Sequence, residues 1–221
     1  MRIRFILLAA FAAALCACAP DNEPFLFRSA LMGYLQEDGS LKGDDGRIYY
    51  FSNVQDSNGW EDVKRLMVLI DVTEKISGEN TYSARLLNYE VPLYKEPVVG
   101  DDQHLIDSLG TSPLQVNDAW LAGGCINMVN TLLFADREKK HTVDLRLKEY
   151  PPSGDTLKFA LMHNAGDDIV DEYAEDFSGS TFSFYSSFPI DQFLPENKDN
   201  LVLTLEWRWK GETNVITHSF K

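Results

Sequence analysis

The chain has 221 residues, 44% hydrophobic and 12% aromatic, with a formal net charge of −14 at pH 7. That length suits two domains of about 100 residues, each with its own core. The acidity excludes the electrostatic footprint of a nucleic-acid binder, which takes clustered Lys and Arg; it favours solubility beside a membrane without specifying a partner.

The first element is a secretion signal over residues 1–17. Arg2 and Arg4 supply the positive start, and residues 5–15 form an apolar run too short to span a bilayer. Small residues then lead to two cysteines. Cys16 would put bulky Leu15 at the cleavage point. Cys18 follows Ala17 and has Leu15 three residues before it, the pattern of a lipidation site. Cys18 is therefore the predicted acylated residue, and the membrane is the first predicted partner. Each buried methylene contributes about 0.8 kcal/mol, so two or three acyl chains hold where one would not. Of the three cysteines only Cys125 would remain unmodified in the exported chain, which leaves no internal disulfide. Residues 18–24 form a lipidated tether, in which Pro20 and Pro24 favour extension.

Residues 25–94 read as a run of strands. The first covers 28–35. Asp38-Gly39 and Asp45-Gly46 between apolar runs are hairpin signals, and Asn58-Gly59 marks another turn. Residues 63–72 are apolar on both faces, which suits a barrel strand, and 82–91 follow. Four or five strands without a clear helix suggest a small barrel or a curled sheet. Residues 92–113, rich in Pro, Gly and Asp, read as a hinge, with the domain boundary near 95–108. The second half then alternates regularly. Strands are expected at 115–120, 125–134 and 142–148, with Val143, Leu145 and Leu147 inward and Asp144, Arg146 and Lys148 outward. More follow around Leu157, Phe159 and Leu161, around Phe182, Phe184 and Phe188, at 201–210 and at 215–220. Turn residues between short alternating strands predict an antiparallel β-sandwich. The fold class is all-β.

The stretch from Asp107-Ser108-Leu109-Gly110-Thr111-Ser112-Pro113 into Val116-Asn117-Asp118-Ala119-Trp120, Gly123-Gly124 and Ile126-Asn127-Met128 resembles the NigD-like lipoproteins of Gram-negative anaerobes. So do Lys158-Phe159-Ala160-Leu161-Met162-His163-Asn164-Ala165 and the closing hairpin over 202–220. The resemblance covers the chain after the signal and is clearest from Asp107 onward. It implies an N-terminal OB-like domain, placed at 25–98, and a C-terminal β-sandwich, placed at 105–221. It also implies a role proposed for the family, immunity to a bacteriocin. It brings no catalytic residue with it, and Cys125 stands where the family motif has another residue.

Each candidate site has a plainer reading beside it. No two of His104, His141, His163 and His218 have metal-ligand spacing, so no metal or cofactor is expected. His104 and His141 are expected in solvent. His163 closes a strand beside an acidic loop and is expected to bond a backbone carbonyl there. Asp167, Asp168, Asp171, Glu172, Glu175 and Asp176 could offer oxygens to a hard cation, but their spacing is not that of an EF-hand and a solvated loop is expected. The Asp44-Asp45 and Asp101-Asp102 pairs are read the same way. Cys125 has small or apolar neighbours and is expected to be a buried structural thiol. Trp207 and Trp209 share a face with Leu201, Leu203 and Leu205 and belong to the core; Trp60 and Trp120 are expected to be more exposed. With no catalytic constellation in the sequence, the expected function is a non-enzymatic envelope lipoprotein that binds a protein or a glycan. The alternatives are bacteriocin immunity, and a hydrolase using His163 with nearby carboxylates.

Overall fold

The computed structural model describes residues 24–54, 59–78, 80–152, 154–168, 170–171 and 179–220. Cys18, and the Glu172, Glu175 and Asp176 part of the acidic loop, lie outside them. The regular structure of the described chain is almost all strand, and none of its helices is long and apolar enough to cross a membrane.

The first five strands are β1 (Phe27–Leu35), β2 (Leu41–Gly43), β3 (Ile48–Phe51), β4 (Arg65–Ser77) and β5 (Thr81–Glu90). They form a closed barrel in the order β1-β2-β3-β5-β4, with β1 antiparallel to β4 and β3 parallel to β5. Closure leaves no free edge. Leu66, Val68, Ile70 and Val72 alternate into the interior, where they meet Leu41, Tyr49 and Ala84. The long β4 bends round the barrel through register shifts against β5 at Leu69/Ile70, Val72/Glu74 and Lys75/Ser77. Trp60, expected to be exposed, is 4% exposed. It packs into the barrel core with its ring edge-on to Tyr89 at 5.2 Å and to Phe51 at 6.2 Å. A loop tryptophan is the largest apolar group available here, and burying it gains more than stacking it on solvent. Asp71 is fully buried between its two cross-strand neighbours, Arg28 on β1 and Arg85 on β5, at 2.7 and 3.1 Å. The hydrogen bond from Arg28 holds its carboxyl below the usual carboxylate range.

The remaining elements are β6 (Leu93–Tyr94), β7 (Val98–Val99), helix α1 (Gln103–Leu109), β8 (Gln115–Ala122), β9 (Cys125–Phe134), β10 (Thr142–Leu147), β11 (Thr156–Asn164), β12 (Ser180–Pro189), β13 (Val202–Trp209) and β14 (Glu212–Ser219). Two sheets result, ordered β14-β13-β11-β10-β7 and β6-β12-β9-β8. Between them lies one core, with Met128, Leu145, Leu147, Leu157, Phe159 and Phe188 fully buried.

The segment expected as a hinge is structured. β6 adds to β12 and β7 to β10, both in parallel, so 93–99 pair with the sandwich. Asp102 caps α1, accepting from the backbone N–H groups of His104 and Leu105 at 2.9 and 3.3 Å. Gly110 ends it at φ 77°, against Asn164, where a Cβ would stand 2.7 Å from the Asn164 Cα. The same segment corrects the expected outer face of β10. Asp144 and Arg146 are only 4% and 5% exposed. Lys95 pairs with Asp144, while Asp101 and the Gly100 carbonyl take Arg146. Strand alternation sets which way a side chain points, but another segment of the chain decides whether it meets water.

The barrel meets the sandwich at Arg65, whose side chain is wholly buried. It donates to Asp44 at 2.6 Å and to Asn127 of β9 at 3.3 Å, and stacks over the Tyr34 ring at 4.3 Å. Burial would lower the Arg65 pKa, yet Asp44 and its other neighbours raise it above the ordinary value. Gly123 sits where a Cβ would come within 2.7 Å of the Arg65 Nη1, so no side chain fits there.

Candidate functional site: a groove and a histidine relay at the sandwich edge

Strands β9 and β12 run antiparallel and in register over ten residues, from Ser180↔Phe134 to Pro189↔Cys125. At the Cys125 end their side chains are buried, with Ile126, Met128 and Phe188 in the core and Cys125 and Asn127 against the barrel. At the other end Phe182 emerges 56% exposed. It stacks on Phe184 with centroids 5.8 Å apart and planes 12° apart. These rings, with Phe134, Leu132 and Val143, floor an open groove of about 860 Å³. Lys95, Asp136, Arg137, Lys139 and His141 line its polar side. The Arg137 guanidinium stands 6.0 Å from the Phe134 ring centre. Lys139 is bonded to Asp167 at 2.5 Å, which raises its own pKa and lowers that of Asp167.

His141, expected in solvent, lines this groove and is bonded to His163 and Asp168, which with Pro113 line a smaller cavity of about 100 Å³. Its Nε2 lies 3.0 Å from the Asp168 carboxylate and its Nδ1 lies 2.9 Å from the His163 Nε2. The His163 Nδ1 in turn meets the Pro113 carbonyl at 2.9 Å, the strand-end contact expected for it. Asp168 also accepts the backbone N–H groups of Ala135 and Asp136, at 3.1 and 3.5 Å. Its burial would raise its pKa, but the His141 bond and these two N–H groups bring it below the ordinary value. Burial lowers the pKa of His163, and the Pro113 bond opposes that shift.

Pro113 offers only an acceptor, so the His163 Nδ1 donates to it, and the neutral His163 ring accepts at Nε2 from the His141 Nδ1. The two rings thus link the Pro113 carbonyl to the Asp168 carboxylate in one chain.

All four ring nitrogens are engaged within this relay. Asp168 reaches His163 only through His141, and Asp167 turns to Lys139 instead. No group of three or more His, Cys, Asp or Glu among the described residues is arranged to hold a metal ion. The other candidates are placed as follows. His104 is exposed on α1, and His218 is exposed with its ring edge-on to Phe220. Cys125 is buried at the domain junction, 3.1 Å from the Tyr34 hydroxyl. Trp120 is half-buried, as are Trp207 and Trp209. Of the acidic pairs, Asp45 accepts the Tyr49 hydroxyl at 2.6 Å, while Asp44, Asp101 and Asp102 have the partners given above. The sequence held no signal for the His141–His163 pairing, because His141 precedes β10 and comes beside His163 only once β10 pairs with β11.

Among solved structures, the chain is similar to a protein of unknown function from Bacteroides vulgatus, with TM-score 0.68 and 19% identity over 88% of this chain and 92% of that one. It is also similar to a protein described as a lipoprotein from Bacteroides fragilis, with TM-score 0.64 and 11% identity over 88% and 99%. A NigD-like immunity protein from Bacteroides caccae gives TM-score 0.54 and 18% identity over 88% and 93%. At these identities the likeness speaks for the fold. No curated protein matches the chain. The NigD-like C-terminal beta sandwich domain matches residues 97–219, more than half of the sequence, and the chain belongs to that family.

Proposed function

We propose that this chain is an exported lipoprotein, anchored to the outer membrane or cell envelope through Cys18, that acts by binding a protein or glycan partner rather than by catalysis. The groove beside Phe182 and Phe184 carries the reading. Ligand sites are concave and mostly apolar with a few polar groups at the rim, and stacked exposed rings suit the flat face of a sugar or an apolar peptide side chain. The closed relay supports the non-catalytic part. A general base must offer a free nitrogen to the proton it removes, and His141 and His163 have none.

The test is titration of the purified protein with fractionated envelope glycans and proteins, followed calorimetrically, beside Phe182→Ala and Phe184→Ala. Saturable binding lost in both variants is expected. Binding that survives both removes the groove from the reading, and no binding to any fraction removes the function. Cys18→Ser should release the protein from the membrane fraction. A second reading, bacteriocin immunity, rests on the family and on the name of the Bacteroides caccae neighbour. Deleting the gene should then raise sensitivity to a toxin encoded beside it, and unchanged sensitivity rules this reading out.

A further inference from the structure

Among the described residues the sandwich leaves four strand edges, and three of them are blunted. β6 and β7 are two residues long. β8 is broken by a register shift between Val116 and Asp118, which leaves exposed Asn117 and Asp118. Short edges, bulges and charges are the usual guards against strand addition. β14 is eight residues long, has no bulge, and carries its single charge, Glu212, at one end. It pairs with β13 alone, without a register shift from Val202↔Ser219 to Trp209↔Glu212. Its sequence, Glu-Thr-Asn-Val-Ile-Thr-His-Ser, holds no Lys, Arg, Pro or Gly and one formal charge. Val215 and Ile216 at its middle are 55% and 40% exposed. On its inner side Ile216 and His218 line an open cavity of about 300 Å³, with Trp120, Leu203 and Leu205 behind them.

We propose that β14 pairs with β14 of a second copy, forming a symmetric dimer in which two five-stranded sheets become one. The choice of occupant rests on self-complementarity. Two identical strands pair antiparallel about a two-fold axis perpendicular to the sheet. Such an axis keeps each side chain on its own face, so only residues of matching parity come opposite one another. The register centred on Val215 satisfies this. It sets Val215 against Val215 of the second copy, Asn214 against Ile216 and Thr213 against Thr217. At each end it sets Glu212 against His218 of the second copy, where the carboxylate accepts an imidazole N–H. No like charges face each other, although each chain carries a net charge of −14. The face bearing Ile216 and His218 then extends across the axis, and the side chains of the second copy lie beside the Trp120 cavity.

Sedimentation of the intact two-domain protein over a concentration series tests this. The expected result for the natural sequence is a twofold rise in mass with concentration. Val215→Lys brings two ammonium groups together on the axis and should hold the mass at that of one chain. Circular dichroism confirms that this variant folds, as its exposure leads one to expect. Glu212→Lys should weaken association severalfold, and Glu212→Lys combined with His218→Glu should restore it. A natural sequence that stays monomeric throughout overturns the proposal, as does a Val215→Lys protein that still doubles. A monomer whose edge instead captures a β-strand peptide assigns β14 to another protein and overturns the dimer equally.

Discussion

The barrel and the sandwich are built from similar strands, yet only one of them is closed. In the barrel β1 returns to β4, every strand has two neighbours, and even a carboxylate on the wall is covered by cross-strand arginines. In the sandwich the two sheets end at edges, and the cavities of about 860 and 300 Å³ both open there. Closure removes the places where backbone and apolar side chains remain available to others. An open sandwich keeps them and must guard or use each one. Only the sandwich keeps open edges and cavities of this kind among the described residues.

The largest expected effect lies where the two regions meet. Arg65→Ala leaves Asp44 partly buried without its partner, and breaking a buried pair costs about 3–5 kcal/mol. Chemical denaturation should then show two transitions in place of one; a single shifted transition would mean that the regions are coupled elsewhere. Leu145→Ala, in the sandwich core, should cost about 2–5 kcal/mol and lower the sandwich transition first. Equal loss in both regions would contradict that division. His163→Phe removes the centre of the relay and leaves the Pro113 carbonyl unpaired, at about 1–3 kcal/mol.

A pH series sharpens the same contrast. Burial depresses the His163 pKa, so the unfolded chain binds more protons than the folded one just below its ordinary value. The contribution of His163 is complete above about pH 6.5 and is lost as the pH falls through its folded value. Asp71 in the barrel and Asp168 in the sandwich are also depressed, and their contributions persist until the pH falls below about 3.9. Mild acid should therefore weaken the sandwich before the barrel, and His163→Phe should abolish that early loss. The smallest expected effect on stability is that of Phe182→Ala, within about 0.5 kcal/mol, because the ring is exposed. Its effect should appear in ligand binding alone.

Much of this fold was legible in the sequence. Strand β9 begins and ends where its apolar run does, and the alternation of Leu201, Leu203 and Leu205 is the alternation of burial. Those signals are local, because a period of two survives wherever the strand is placed. The misreadings share the opposite property. Asp144 and Arg146 are buried by 95–101 and Trp60 by the barrel, and His141 is drawn out of solvent by His163 and Asp168. Helix α1 has no fully buried residue and only seven positions, so it carries no apolar stripe to read. The same division holds for the site. The residue types of the groove were visible along the chain, but their convergence depends on which sheet edge stays open.

The Arg65 contact also has a mechanical meaning. The chain passes from barrel to sandwich once, between β5 and β6, and a single strand of backbone acts as a swivel. Arg65, gripped from one side by Asp44 and from the other by Asn127, is a second point of attachment. Two separated fixings turn a swivel into a bracket. A pull at the N-terminal end of the barrel would then reach the sandwich through both fixings, and the absence of a side chain at Gly123 leaves room for the second.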